Sequence, residues 1–380
     1  MKTKWVKAMI PIIVYHHIVP DENVDINNNF IISQSMFERQ LKYLYDNKFK
    51  AISIGQLYDL LVNKKDLPSK SIMITFDDGY LSNYLFAYQI LRSYNYKATI
   101  FLITSLVNEA DQRYNEYKAD YISWNQVGIT KDVFEYASHT HSLHYTINNR
   151  SALCVQSAGV VDADIKASLK KPINKIAFAY PYGEFTNSVI DILRNNGIKL
   201  GLTTQNGFVT RNTNPFQINR SQIIQKTSLA AFSGIVGGPA PSTAQAPVLT
   251  PAPPPKPSNP NQVVIQITMN RLKYTVNGKP MMFDVPPYLD INASRSMVPM
   301  RFIAEAFGAA VSWDNSSKTQ TITLNGKTFK LTHNVALPGG MGTPVLSQDR
   351  FYVPLRYVSQ EFGAKVDWDD ATQTNTIIYR

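Results

Sequence analysis

The chain has 380 residues, of which 44% are hydrophobic and 17% are charged, and these proportions are typical of a folded protein of two or three domains. Its formal net charge of +10 favours an anionic surface or polymer as a partner, but the basic residues are scattered and no nucleic-acid motif is present, so we expect no nucleic-acid partner. The single cysteine, Cys154, excludes an internal disulfide, and no apolar run approaches the length of a transmembrane segment.

Apolar runs alternate with amphipathic segments through the first 236 residues, which predicts an α/β fold with a parallel sheet wrapped by helices. Helical spacing follows Ser35, which we expect to cap a helix, and occurs again from Tyr84 to Leu91. A distorted (β/α) barrel is the favoured architecture, and an open doubly wound sheet is the alternative, because both place ligands at strand carboxyl ends. The predicted strands lie near residues 10–15, 71–75, 97–102, 133–137, 175–179 and 199–203.

The second predicted strand ends in two adjacent carboxylates, Asp77 and Asp78, and the following Gly79 favours a turn. An acidic pair at a strand end can supply one ligand to a divalent metal and one general base, provided that histidines complete the coordination. The alternative interpretation is an ordinary Asp-Asp-Gly turn without any chemistry. The distribution of histidines therefore decides between the two.

Five of the six histidines occur at positions 16, 17, 139, 141 and 144. The last three follow the predicted strand 133–137, so they would lie on the same rim of a barrel as the acidic pair. Histidine is a poor strand former and is costly to bury, hence three within six positions favour a metal site over a solvated loop. Three protein ligands would leave a position for water, whose pKa falls to about 7 on zinc.

A third motif, Pro181-Tyr182-Gly183, follows the predicted strand 175–179. By itself Pro-x-Gly is common in plain loops between a strand and a helix. Its position at a strand end, on the same rim as the other two motifs, favours a functional loop instead.

These ordered motifs, Thr-Phe-Asp-Asp-Gly, then His-Thr-x-x-x-His, then Ala-Tyr-Pro-Tyr-Gly, resemble the polysaccharide deacetylase family, which carries the NodB homology domain. The resemblance covers roughly residues 8–236. His139 and His144 are five positions apart, whereas the family's usual spacing is four, and this is similar to the branch that deacetylates poly-N-acetylglucosamine. Such a branch implies a hydrolase that removes acetyl groups from N-acetylglucosamine units of a polysaccharide.

The resemblance also implies roles for individual residues. Asp77 would be the general base, and Pro181 and Tyr182 would contact the substrate, with the backbone N–H of Tyr182 donating to the oxyanion. One divalent metal, zinc in most members of the family, would be bound by Asp78, His139 and His144.

The chain departs from the family pattern at two places. The arginine that usually begins the third motif and orients the base is replaced by Ala179-Tyr180. The late Leu-x-His motif, which often supplies the general acid, reads Gln217-Ile218-Asn219-Arg220 here. His16 or His17, after the first predicted strand, could serve as the acid from the same rim, and we take His16 as the catalytic candidate; a structural role for either is the alternative.

The composition changes after the first domain, and the boundaries that we predict are 1–236 for the deacetylase domain, 237–262 for a proline-rich linker and 263–380 for a C-terminal domain. The last domain carries an internal repeat with a shift of 55 positions, seen in Val298-Pro299 against Val353-Pro354. Each unit predicts a short helix, a glycine turn and a tryptophan-bearing hairpin, so two units make a small α+β domain.

This repeat resembles the stalk-type domain related to the N-terminal domain of copper amine oxidases, a domain of Gram-positive envelope proteins. Copper is not expected, because His333 is the one histidine of this part and it contains no cysteine. Trp313 and Trp368 occupy repeated positions, so we expect core packing, with exposed sugar-stacking platforms as the alternative. Attachment or spacing is the role that we expect for the domain.

The combined interpretation is a metal-dependent deacetylase of a cell-envelope or matrix polysaccharide, held near a cell-wall surface by its C-terminal domain. Its alternatives are a deacetylase of peptidoglycan, chitin oligomers or acetylxylan, and a decayed protein that only binds glycans. We expect an extracellular or envelope location from the substrate class, although segment 1–7 and the short apolar run after it are not typical of a signal peptide.

Overall fold

The computed structural model describes residues 9–112, 114–115, 118–241, 262–290 and 293–379. Contacts divide the chain into two compact units, Met1–Thr243 and Ala244–Arg380. The middle of the predicted linker, residues 242–261, lies outside the described residues. Among the described parts of the chain, no helix has the length and apolar character needed to cross a membrane.

The first unit is built on a sheet of eight parallel strands whose order is β11-β10-β7-β6-β5-β1-β12, with β4 paired to β5. Two short pairs, β2 with β3 and β8 with β9, lie outside that sheet. The strands of this unit are β1 Ile12–Tyr15, β2 His17–Val19, β3 Ile31–Ser33, β4 Lys50–Ala51, β5 Ser71–Phe76, β6 Ala98–Leu102, β7 Phe134–Ser138, β8 Thr146–Ile147, β9 Arg150–Ser151, β10 Asn174–Ala179, β11 Leu200–Leu202 and β12 Ser221–Gln222.

The two edges of this sheet are joined by one short segment. Ile218 forms a parallel bridge with Leu202 of β11, and Ser221 of β12 pairs with Ile13 of β1. The sheet therefore curves into the distorted barrel that the sequence predicts, and all six predicted strands are present. The last strand, β12, was not predicted, because two residues are too short to show a periodic pattern.

Helices cover the outside of the barrel. The predicted cap at Ser35 is wrong by two positions, since the Ser33 hydroxyl accepts the N–H of Met36 and starts the first helix. The segment from Tyr84 enters its helix through a π-helical turn, Asn83–Ala87. The helices of this unit are α1 Gln34–Asp46, α2 Ile54–Leu61, α3 Tyr88–Ser93, α4 Trp124–Ile129, α5 Ala152–Val155, α6 Ala158–Leu169, α7 Asn187–Asn195 and α8 Leu229–Val236.

The second unit is rich in antiparallel sheet, with strands ordered β15-β14-β13-β24-β23, β16-β17-β22-β21 and β18-β19-β20. Its elements are β13 Val263–Thr268, β14 Lys273–Val276, β15 Lys279–Met282, β16 Tyr288–Asp290, β17 Arg295–Pro299, α9 Met300–Phe307, β18 Ala310–Asp314, β19 Thr319–Leu324, β20 Lys327–Thr332, β21 Val345–Ser347, β22 Arg350–Pro354, α10 Leu355–Glu361, β23 Lys365–Asp369 and β24 Thr374–Tyr379.

The two repeats of this unit each contain a strand, a helix and a hairpin, and their first strands pair with each other. Val298 of β17 lies opposite Val353 of β22, so positions 55 apart in sequence are direct partners. The expectation that both tryptophans are core residues is wrong: Trp313 is 40% exposed and Trp368 is only half-buried. β18, the edge strand that carries Trp313, has four exposed residues among its five.

Candidate functional site

The three sequence motifs lie at the carboxyl ends of β5, β7 and β10, and each contains a residue with a left-handed backbone. These residues are Asp78 with φ 72°, Thr140 with φ 76° and Tyr182 with φ 60°. None of them is glycine, and the left-handed conformation costs an ordinary residue roughly 1–2 kcal/mol. Such strain concentrates where the backbone must aim side chains at a functional site. Left-handed residues also occur elsewhere in the described chain, and it is the meeting of the three motifs at one rim of the barrel that makes this rim the candidate site.

Asp77 is held by an arginine that lies 143 positions further along the chain. The Nη1 and Nη2 atoms of Arg220 donate to Oδ1 and Oδ2 of Asp77, each at 2.7 Å, and both side chains are almost fully buried. Arg220 is fixed in turn, because its Nε donates to the Thr203 carbonyl at 2.8 Å and its guanidinium lies over the Phe101 ring. This two-pronged pairing orients the carboxylate as well as neutralising it.

The pairing also sets the protonation state of Asp77. Burial by itself would raise the pKa of this carboxyl, but the charge and hydrogen bonds of Arg220 outweigh burial and hold the pKa well below its ordinary range. Asp77 is thus ionised at neutral pH, and it is available to accept a proton.

Asp78, His139 and His144 form a cluster whose ligand atoms all lie within 4.8 Å of one another. The Oδ1 atom of Asp78 is 3.6 Å from Nε2 of His139 and 3.3 Å from Nε2 of His144. Ligands at zinc distances and tetrahedral angles are about 3.3–3.5 Å apart, so these separations fit one small cation. The Asp78 Oδ1 atom is buried and has no hydrogen-bond partner among the described residues, which leaves its lone pairs free for such a cation.

The tautomer of His139 agrees with a ligand role. Its Nδ1 lies 2.7 Å from the carbonyl oxygen of Ala179, and because a carbonyl can only accept, Nδ1 carries the proton. Nε2 of the neutral ring then presents a lone pair toward Asp78. A hydrogen bond from the far ring nitrogen is the usual means of orienting a metal-binding histidine. Three electron-pair donors thus converge, and we conclude that these residues fit a metal ion.

Burial shifts the pKa of the carboxyl and the pKa of the imidazoles of this cluster in opposite directions. It raises the pKa of Asp78 to about 6 and lowers the pKa of His139 to about 3. Burial also lowers the pKa of His144. The two imidazoles are therefore neutral at pH 7, as metal binding requires, and a bound cation would favour the ionised form of Asp78.

His16 and His17 are placed differently. His16 is 8% exposed, packs against Phe30, and lies close enough to Asp77 and Asp78 for their charges to act on its pKa, which burial lowers. Its Nδ1 is buried without a hydrogen-bond partner among the described residues. In His17, Nδ1 is 2.8 Å from the Ser82 hydroxyl, and burial lowers the pKa to about 4. Of the two histidines, His16 is the one with a free ring nitrogen beside the acidic pair.

The third motif lies beside the histidine cluster. Pro181 is buried, whereas Tyr182 is 45% exposed and its ring centroid is 4.9 Å from that of His144. Gly183 is required there, because its φ is +73° and an added Cβ would lie 2.1 Å from Oγ1 of Thr204. The structure thus brings all seven sequence-predicted residues to one rim, which are Asp77, Asp78, His16, His139, His144, Pro181 and Tyr182.

Arg220 is the residue that sequence reasoning missed. It lies in the segment 217–220, where the late histidine of the family pattern is missing. The available signal was an arginine among the apolar residues Ile218, Ile223 and Ile224, since arginine is almost never fully buried unless it is paired. Arg220, directly before β12, therefore takes the place of the arginine that the third motif lacks.

The fold and the site together define an α/β-barrel protein with a candidate metal centre at the carboxyl ends of its strands. Residues 64–201 match the family model described as polysaccharide deacetylase, and residues 275–377 match the model described as copper amine oxidase N-terminal domain. The chain is 33% identical over 201 residues to a poly-beta-1,6-N-acetyl-D-glucosamine N-deacetylase of Staphylococcus aureus strain N315, over 50% of this chain and 67% of that protein. The chain belongs to the polysaccharide deacetylase family, and both sequence resemblances are confirmed.

Further similarities agree with this assignment. A putative polysaccharide deacetylase of Bacillus subtilis strain 168, YxkH, is 26% identical over 61% of this chain and 79% of that protein. The deacetylase PplD of Streptococcus pyogenes, solved in complex with acetate, has a TM-score of 0.52 and 27% identity over 61% of this chain and 99% of its own. IcaB from Ammonifex degensii, with a TM-score of 0.51 and 23% identity over 60% of this chain and 97% of its own, shares the fold.

Proposed function

We propose that the chain is a metal-dependent N-deacetylase that removes acetyl groups from N-acetylglucosamine units of a cell-envelope or matrix polysaccharide. The observation that carries the proposal is the arginine-held carboxylate of Asp77 beside the converging donors of Asp78, His139 and His144. The substrate class is supported by the identity with the S. aureus poly-beta-1,6-N-acetyl-D-glucosamine deacetylase. Zinc is the ion that we propose, since two imidazoles and one carboxylate are a common catalytic zinc set.

The residues of the site would divide the work of amide hydrolysis. A divalent ion on the three-residue cluster would polarise the acetamide carbonyl and acidify a water. Asp77 takes the proton of the attacking water, and Arg220 keeps that carboxylate ionised and correctly turned. The backbone N–H of Tyr182 donates to the oxyanion, on a loop in which Tyr182 has a left-handed backbone and its carbonyl accepts the Thr204 hydroxyl at 3.4 Å. His16, a neutral imidazole at pH 7, relays to the nitrogen of the departing amine, as the C–N bond breaks, the proton that Asp77 has taken from the water.

The interpretation of this chain as a decayed glycan-binding protein loses one of its two supports. That alternative depended on the missing arginine of the third motif and on the missing late histidine, and Arg220 supplies the arginine by making a bidentate pair with Asp77 from another part of the chain.

We further propose that the domains divide near residues 1–236, 237–262 and 263–380, and that the last of them spaces or attaches the enzyme at an anionic cell-wall surface. The support is the match of residues 275–377 to the copper amine oxidase N-terminal domain model and the formal charge of +10. An extracellular or envelope location follows from the proposed substrate.

His139→Ala is expected to remove metal binding and activity together. Wild type should hold about one zinc per chain after metal loading and desalting, and the variant well below one, because two donors cannot hold the ion as three do. Zinc content and acetate release from an acetylated glucosamine oligomer are the measurements. His333→Ala, a histidine of the other unit whose Nδ1 accepts the Leu346 N–H, is the matched control and should keep both properties. Full zinc content in His139→Ala would contradict the assigned ligand set.

His16→Gln is expected to lower kcat by about 100-fold or more, within the range of general acid–base catalysis, and to leave zinc content unchanged. His17→Gln should have a much smaller effect, since the His17 ring is already occupied by Ser82. Acetate release by each variant is measured on the ordinary oligomer and on an oligomer whose leaving amine is less basic. Because a less basic amine leaves with less help from an acid, the loss in His16→Gln should be smaller on the second oligomer. Equal losses in both variants, or a larger loss in His17→Gln, would refute the assignment of His16.

A further inference from the structure

The loop between the two histidines of the cluster is held by a carboxylate from another element. Asp164 of α6 accepts the backbone N–H of His141 at 2.8 Å on Oδ1 and that of Ser142 at 2.7 Å on Oδ2. Its Oδ2 also accepts the Ser142 hydroxyl at 3.0 Å. A carboxylate that accepts three hydrogen bonds from two successive residues, 23 and 22 positions earlier in the chain, fixes the direction of the backbone there.

Asp164 is itself placed with little freedom. It is only 7% exposed, and it sits on α6 between Val161 and Ile165, which are fully buried. Leu143, the loop residue directly before His144, packs in the same apolar cluster as those two helix residues. The loop is therefore attached to α6 by three hydrogen bonds and by one buried side chain, and His144 follows immediately.

The opposite side of the loop is attached to the end of β6. The N–H groups of Thr104 and Ser105 donate to the carbonyls of Thr140 and His141, at 3.1 and 3.0 Å. The hydroxyl of Thr104 lies 2.9 Å from Nδ1 of His141. Between these attachments, Thr140 has a left-handed backbone, which a β-branched residue rarely adopts. The loop is strained at one residue and held on both sides, so its path depends on these contacts.

We propose that Asp164 is a positioning residue of the metal centre, which holds His144 at the distance from Asp78 and His139 that a cation needs. The inference rests on the proposed function, because it concerns the same three-residue cluster. His139 directly follows β7 and is held by the Ala179 carbonyl, and Asp78 closely follows β5. His144 is carried by the loop, and its ring contacts only the rings of His139 and Tyr182 among the ring contacts of the described residues. Without Asp164 the loop would be less ordered and the His144 ring would occupy several positions. Metal binding would then have to order the ring, which makes the free energy of binding less favourable.

The test is zinc affinity in the folded chain, measured by competition with a chromophoric chelator, alongside the thermal unfolding midpoint of the metal-free protein. Asp164→Asn keeps the shape of the side chain but replaces one accepting oxygen by an NH₂ group, which cannot accept the N–H groups of His141 and Ser142. Asp162→Asn is the matched control, since it removes the same charge from the same helix at a residue that pairs with Lys166 and Asn196. Ser142→Ala removes one of the three bonds and leaves both backbone bonds in place.

We expect the zinc dissociation constant to rise about 10–100-fold in Asp164→Asn, as for residues that support metal ligands, and less in Ser142→Ala. It should not change in Asp162→Asn. A lower unfolding midpoint with unchanged zinc affinity in Asp164→Asn would show a purely structural role and overturn the inference. If Asp164→Asn does not fold, unchanged affinity in Ser142→Ala overturns it instead. Failure of wild type to bind zinc would be a different result, which refutes the proposed metal centre itself.

Discussion

Asp77→Asn is expected to reduce kcat for deacetylation by about 10²–10⁴-fold while zinc content stays near that of wild type. The amide cannot accept the proton of the attacking water, and Asp77 is not one of the three residues whose donors converge on the metal position. Loss of rate with metal retained therefore separates the base from the ligands. Acetate release from an acetylated glucosamine oligomer and metal content of the same preparation are the two measurements.

Asp132→Asn is the matched control for this variant. Asp132 is an exposed carboxylate just before β7, at the opposite end of the strand from the site, where it accepts the hydroxyl of Tyr88. It should keep wild-type activity. A decrease of less than tenfold in Asp77→Asn would show that another group takes the proton, and loss of zinc in that variant would move Asp77 into the ligand set.

Arg220→Met is expected to have the largest effect on stability, with a loss of about 3–5 kcal/mol in the free energy of unfolding. The substitution leaves Asp77 buried without its partner, and the desolvation of that carboxylate is then uncompensated. Denaturant unfolding of the metal-free chain gives the value. Activity should fall as well, because the carboxylate loses the contact that orients it.

The same variant should change the pH dependence of activity in a defined direction. In wild type, Arg220 holds the pKa of Asp77 below its ordinary range, so the pair stabilises the fold above about pH 4 and this contribution is lost as the pH falls through the lowered pKa. Without Arg220, burial dominates and raises the pKa of Asp77. The acidic limb of kcat/KM should therefore move to higher pH in Arg220→Met.

A double variant checks that the two side chains act as a pair. Asp77→Asn combined with Arg220→Met should be less destabilised than the sum of the two single variants, because removing both members leaves no unpaired buried charge. Arg220→Lys should recover part of the stability and little of the activity, since an ammonium cannot make two parallel bonds to one carboxylate. Strictly additive losses would show that Arg220 acts through Thr203 or Phe101 rather than through Asp77.

The sequence by itself determined the local features of this protein. Each of the six predicted strands lies within a residue or two of its observed bounds, because buried parallel strands are continuous apolar runs that need no distant partner to be recognised. The three motifs follow these runs directly, so placing them at strand ends also places Asp77, Asp78, His139, His144 and Tyr182 on one rim.

The tertiary structure decided the features that depend on closure of the barrel and on the helices outside it. Arg220 reaches Asp77 only because the segment before β12 joins the two edges of the sheet, and β12 itself has two residues. Asp164 contacts the histidine loop because α6 lies beside it, with Leu143 of the loop in the same apolar cluster as Val161 and Ile165. Hydrophobic periodicity indicates which face of a helix or strand is buried. Contacts between residues 22 to 143 positions apart depend instead on how the elements pack against one another, and a local sequence pattern does not contain that information.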